Sequence, residues 1–175
     1  PDGSRIAFQS NRDGDTWQLY EFDLRTMTVR KLSDGSADDV EPQYSGDGAH
    51  IVYRTHTGPE TPSQLALMNS DGSNPRTITG ADEDATNPAF SPSGRYLAYQ
   101  SDLDGDLDIY VYEVATGAVR KLTGNDIADY APTWMCGDDR LLFTSEIMGH
   151  PDIFEADTLP LDAAPIDLTA AADRM

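Results

Sequence analysis

The sequence predicts an all-β fold: a β-propeller of four-stranded blades, carried by four repeats of about 45 residues. Two observations predict it. A turn-plus-strand motif returns at nearly constant spacing, and the apolar stretches are short and turn-bounded, with no long 3.6-residue period. The motif reads Pro1-Asp2-Gly3-Ser4-Arg5-Ile6-Ala7-Phe8, then Gly46-Asp47-Gly48-Ala49-His50-Ile51-Val52-Tyr53, then Pro92-Ser93-Gly94-Arg95-Tyr96-Leu97-Ala98-Tyr99. A looser copy runs Cys136-Gly137-Asp138-Asp139-Arg140-Leu141-Leu142-Phe143. The starts are 45, 46 and 44 residues apart, which divides the chain into repeats 1–45, 46–91, 92–135 and 136–175.

Each repeat carries the same strand signals in the same order. The apolar stretch after the turn gives one strand. A Gly-containing polar loop leads to a second: Leu19–Phe22, Leu65–Met68, Ile109–Tyr112 or Ile153–Ala156. A third ends in Leu32-Ser33, Ile78-Thr79, Leu122-Thr123 or Leu168-Thr169. A fourth centres on Pro42-Gln43-Tyr44, Pro88-Ala89-Phe90 or Pro132-Thr133-Trp134, and the last repeat shows no such stretch. Three strands of this inner type against four sets of the others predict an incomplete ring, or one completed by a partner or by strand exchange. An unfinished blade leaves an open edge. Pro1 in place of an initiator methionine fits a processed chain or a segment of a longer one.

Tyr-Ser-Gly-Asp-Gly at 44–48, Phe-Ser-Pro-Ser-Gly at 90–94, and Ser101-Asp102-Leu103-Asp104-Gly105 ahead of Ile109-Tyr110-Val111 resemble TolB-type propeller repeats, which also resemble the propeller domains of prolyl-oligopeptidase-like enzymes. The resemblance implies a ring of six blades, a place in the periplasm or outside the cell, and a role in a membrane-associated complex. It does not by itself fix a function.

Charge narrows the choice. The formal net charge of −19, from 31 acids and 12 bases, opposes unaided binding to nucleic acid. No apolar run reaches the roughly 20 residues of a membrane span, and Cys136 stands alone, so neither an intrachain disulfide nor a multi-cysteine metal site can form. The fold prediction gathers two sets of connections at one end of the blades, 11–15, 56–63, 102–108 and 146–152 with 33–41, 79–87, 123–130 and 169–175. These hold 19 of the 31 acids and only two bases, Arg12 and Arg174. A face so charged suits a protein partner with a basic surface. The candidate contacts are Asp13, Asp15, Asp38, Asp39, Asp82, Glu83, Asp84, Asp126 and Asp129. The alternative is a solvated rim whose aspartates serve turn chemistry.

One loop has the donor set of a hard-cation site. Asp102-Leu-Asp104-Gly-Asp106-Leu-Asp108 places alternate carboxylates about a glycine, as Ca²⁺ requires, without the later glutamate or the helices of an EF-hand. Read blandly, it is a hairpin turn whose aspartates bond nearby amides. Asn11-Arg12-Asp13-Gly14-Asp15 keeps part of the pattern. Asp39 and Asp129, each three residues before a proline, read as braces for the inner strand, and Arg30, Lys31, Arg76, Arg120 and Lys121 as charges that discourage pairing at the outer edge. No nucleophile elbow, phosphate loop or paired metalloprotease histidines appear, which points away from an enzyme. Three functions follow in order: a protein-binding scaffold, the substrate-gating propeller portion of a serine hydrolase, and a calcium-binding module.

Overall fold

A computed structural model describes residues 1–147 and 149–158. Among them there is no helix, and fourteen strands form four antiparallel sheets. The first sheet joins β1 (Arg5–Ser10), β2 (Gln18–Asp23) and β3 (Thr28–Lys31). The second orders β4 (Asp38–Tyr44), β5 (His50–His56), β6 (Gln64–Asn69) and β7 (Arg76–Thr77). The third orders β8 (Ala85–Phe90), β9 (Tyr96–Ser101), β10 (Asp108–Glu113) and β11 (Val119–Lys121). The fourth holds β12 (Asp129–Trp134), β13 (Arg140–Ser145) and β14 (Asp152–Asp157). These are propeller blades, two of them with all four strands. Three inner strands occur, β4, β8 and β12, as the sequence implies, and β1 pairs on one side only. The strand expected to end at Leu168-Thr169 lies outside the described residues. The sequence motif and the blade are out of phase, since a blade begins with the strand that closes the preceding repeat.

The chain divides into two compact units, one through Glu83 and one from Asp84. In the first, Leu19, Leu32, Ile51, Tyr53, Ala66 and Met68 pack into one core. In the second, Tyr96, Ala98, Ile109, Val111, Leu122, Leu141, Phe143, Phe154 and Ala156 do so. Within each unit the inward residues come from both of its sheets, so one blade buries a face against the other. Strand β14 shows the resulting alternation: Phe154 and Ala156 are buried, while Ile153 and Glu155 face water.

The inner strands share a defect with a covalent cause. Pro42, Pro88 and Pro132 have no N–H to give to a ladder. The register slips at each of them, between Val40 and Gln43, Thr86 and Ala89, and Tyr130 and Thr133. The residue before each proline, Glu41, Asn87 or Ala131, takes a left-handed conformation with φ of 56°, 51° or 54°. Two of these displaced residues give their N–H to a glutamine of the preceding blade in the same unit. Glu41 N donates to Gln9 Oε1 at 2.6 Å, and Ala131 N to Gln100 Oε1 at 2.8 Å.

Asp39 and Asp129 occupy matching places near the entry to β4 and β12, and both are buried (5% and 0% exposed). Their backbone amides donate to Trp17 O (2.9 Å) and Leu107 O (2.6 Å), tying the inner strand to the loop of the preceding blade. Burial pushes both carboxyls above the ordinary range, against the pull of hydroxyls at Ser33 and Thr55 for Asp39, and at Thr123 and Ser145 for Asp129. A folded-state pKa raised above the unfolded value favours the fold while the group is protonated, and that contribution is lost as pH climbs through the raised pKa. Removing the charge therefore matters more at neutral pH than in acid. The melting temperature of Asp129→Asn relative to the wild type should be more favourable at pH 7 than at pH 4. A difference independent of pH, or one larger in acid, would contradict the buried-carboxyl account.

Candidate acidic loop site

The loop between β9 and β10 is a tight turn: Gly105 N donates to Asp102 O at 3.0 Å, and Gly105 takes φ +116°, a region that L side chains rarely adopt. Its four aspartates do not act together. Asp102 turns back to accept the Asp84 amide at 2.8 Å, and so closes the entry to β8. Asp104, Asp106 and Asp108 bring carboxylate oxygens within 4.8 Å of one another, the only such trio of potential metal ligands among the described residues.

A side chain that the spacing did not point to sits on this trio. Lys121, at the end of β11, pairs with Asp104 and holds Asp108 Oδ2 at 2.6 Å. Asp108 is fully buried, and its other oxygen accepts the Thr123 hydroxyl at 2.9 Å. Asp104 also accepts the Tyr110 hydroxyl at 3.0 Å. The bond from Lys121 holds the Asp104 carboxyl below its ordinary range, whereas burial raises Asp108 despite the same lysine. Burial alone would lower Lys121, but its two carboxylate bonds outweigh that and raise it. The protein thus supplies its own cation to most of this cluster. A divalent ion held by all three carboxylates would have to displace the ammonium. Sequence reading placed Lys121 among charges that protect an outer edge. Its register opposite Tyr110 on β10 brings it to the loop, and spacing along the chain carries no signal of that pairing.

The corresponding loop of the first unit is assembled differently. Asp13 Oδ2 accepts the Tyr20 hydroxyl at 2.7 Å, as Asp104 does from Tyr110. Gln18 stands where the other loop has the buried Asp108, and its Oε1 accepts the Ser33 hydroxyl at 2.8 Å. The Arg12 guanidinium lies over the rings of Phe8 and Tyr20, 5.0 and 4.9 Å from their centres. Arg30, also read as an edge charge, donates through Nε to the buried Glu21 at 2.8 Å and through Nη1 to Asp71 O at 2.8 Å. Tyr44 donates to the same Glu21 at 2.6 Å.

The nine acids proposed as partner contacts fall into three groups. Asp13, Asp15, Asp82, Asp84 and Asp126 are exposed, and Asp38 is half-buried, with one oxygen accepting the Trp17 amide at 2.6 Å. Asp39, Glu83 and Asp129 are buried, and Glu83 caps the Gly80 amide at 2.6 Å. None of those three carboxylates lies on the open surface. Within the first unit, loop 11–17 meets the connection from β3 to β4 through Trp17, Asp38 and Asp39. Within the second, the β9–β10 loop meets β12 through Leu107 and Asp129.

The profile of the TolB beta propeller domain matches residues 60–169. The chain is 38% identical over 100 residues to the Tol-Pal system protein TolB of Xanthomonas oryzae pv. oryzae, an alignment covering 54% of this chain and 23% of that protein. Its fold is similar to TolB from Acinetobacter baumannii (TM-score 0.68, 20% identity, 89% of this chain and 39% of that one). It is also similar to a puromycin-hydrolyzing peptidase of Mycobacterium tuberculosis (TM-score 0.73, 21% identity, 95% and 28%). At these identities the structural likenesses establish the fold alone. Strand order, the repeated turn and the profile agree: the chain belongs to the TolB beta propeller domain family.

Proposed function

We propose that the chain is a non-enzymatic protein-binding scaffold, a propeller segment whose exposed loop carboxylates dock a basic surface on a partner protein. The observation that carries this reading is the set of exposed acids, Asp13, Asp15, Asp82, Asp84 and Asp126, at loops that also anchor the inner strands. Crowded like charges repel one another, and a cationic partner relieves that repulsion. Membership of the TolB beta propeller domain family supports the scaffold role, and the Tol-Pal name of the Xanthomonas relative supports a subunit of a periplasmic or other envelope assembly. The sequence contains no nucleophile elbow or phosphate loop.

Docking driven by surface charge weakens as counter-ions screen it. With the chain immobilised in an envelope extract of its own organism, the yield of captured partner should fall several-fold between about 50 and 500 mM salt. An unchanged yield would contradict the acidic loops as the docking surface.

The Asp104–Asp106–Asp108 trio favours a second reading, a calcium-binding module. Lys121 and Ca²⁺ would compete for the same oxygens. Lys121→Met leaves the buried Asp108 without its counter-charge and should cost about 3 kcal/mol. Millimolar Ca²⁺ should then raise the melting temperature of the variant more than that of the wild type, because a ligand of the folded state stabilises it. No shift in either protein would remove the calcium reading.

A further inference from the structure

The first unit contains a cleft of about 350 Å³ between its two blades. Asp39 stands in it, 5% exposed, with Tyr53, 6% exposed, also lining it. Leu32, Ala66 and Met68 line the apolar wall, Asp34 borders the opening, and Arg76 on the exposed edge strand borders it as well. Two carboxylates against one guanidinium leave the cleft negative. A carboxylate, a phenol and a narrow apolar wall are complementary to a flexible aliphatic stem that ends in a cation.

A comparison inside the molecule explains why there is room. In the β5–β6 ladder Tyr53 lies opposite Ala66, and in the β13–β14 ladder the matching pair is Phe143 and Phe154. The Asp39–Thr55 and Asp129–Ser145 pairs fix this equivalence, since they occupy the same place in their own ladders. In the second unit the ring of Phe154 fills the space beside Phe143, with centroids 6.1 Å apart. In the first unit Ala66 stands in the place of Phe154 and Met68 in that of Ala156, and the cleft opens beside them and the buried Asp39. Packing alone gives no reason for the combination, because interiors are close-packed and a buried acid costs solvation.

We propose that this cleft binds the side chain of a lysine or arginine from a partner polypeptide, with the stem along Leu32, Ala66 and Met68 and the cation at Asp39 and Tyr53. The inference rests on the reading of the chain as a scaffold for basic proteins and gives that reading a specific anchor point. An entering cation offsets the desolvation of Asp39, so one residue there contributes more than a charge at an exposed rim.

The test uses the full chain with ¹³C-methyl methionine. Met68 reports on the cleft, and Met27, 70% exposed, reports on the open surface. The probes are Ac-Gly-Lys-Gly-NH₂, its arginine counterpart, and the norleucine peptide, which keeps the stem and lacks the charge. The basic peptides should shift the Met68 methyl resonance saturably while Met27 and the norleucine titration stay flat. Asp39→Asn should weaken the response at least about tenfold. Ala66→Phe, which puts a ring where the other unit has Phe154, should abolish it. Should Ala66→Phe fail to fold, Asp39→Asn and the norleucine peptide still decide. A Met68 shift equal for norleucine, one unchanged by both substitutions, or one matched by Met27 would overturn the proposal. If salt-dependent capture persists in Ala66→Phe while wild-type Met68 never responds, the cleft is wrong and the docking reading survives. A specific Met68 response without salt-dependent capture would fail the docking reading and leave the cleft.

Discussion

A missing N–H organises this structure. Each inner strand carries a proline near its middle, which removes one ladder donor and forces an extra residue into the strand. The displaced residue takes a left-handed backbone, and in two of three cases its amide donates to a glutamine of the preceding blade. The defect in one sheet thereby becomes the contact between two. Asp39 and Asp129 lie two residues before those amides, so the same geometry carries a buried carboxyl into the space between the two blades of each unit.

Charge is managed locally rather than by a global balance. The chain has an excess of 19 acids, yet several of its bases are committed to particular carboxylates: Lys121 to Asp104 and Asp108, Arg30 to Glu21, Arg54 to Glu41 and Arg140 to Glu155. Acids that receive a cation or a backbone amide are held in place, and what remains exposed is a set of short aspartates at loop ends. Those exposed carboxylates carry the functional proposal. The vacant space beside Asp39 is a different device, since it pairs a carboxyl with an apolar wall rather than with water.

The fold could be read from the residues because its signals are local and repeated: a turn motif every 45 residues or so, short β-branched or aromatic stretches, and prolines at matching positions. The brace role of Asp39 and Asp129 was legible from their distance to Pro42 and Pro132. What stayed hidden depends on which side chains meet across strands. Lys121 looked like an edge charge because spacing along the chain does not show that β11 lies beside the loop ahead of β10. The burial of Glu83 was hidden for the same kind of reason, since an acid in an acidic connection looks solvated until its bond to the Gly80 amide is seen. Gln9 and Gln100 were within reach of the sequence: each precedes a serine at the end of its strand, in Phe8-Gln9-Ser10 and Tyr99-Gln100-Ser101, but a glutamine in a strand raises no alarm.

The claim on which the account turns is that the glutamine holds the bulge and the bulge sets the inner strand. Amide hydrogen exchange at Ala131, in the wild type and in Gln100→Leu, tests it most directly. The account predicts a protected Ala131 amide that exchanges at least about tenfold faster once Gln100 is gone, with the β9 and β10 amides little changed. Exchange at Ala131 that is already fast, or that ignores the substitution, would contradict it.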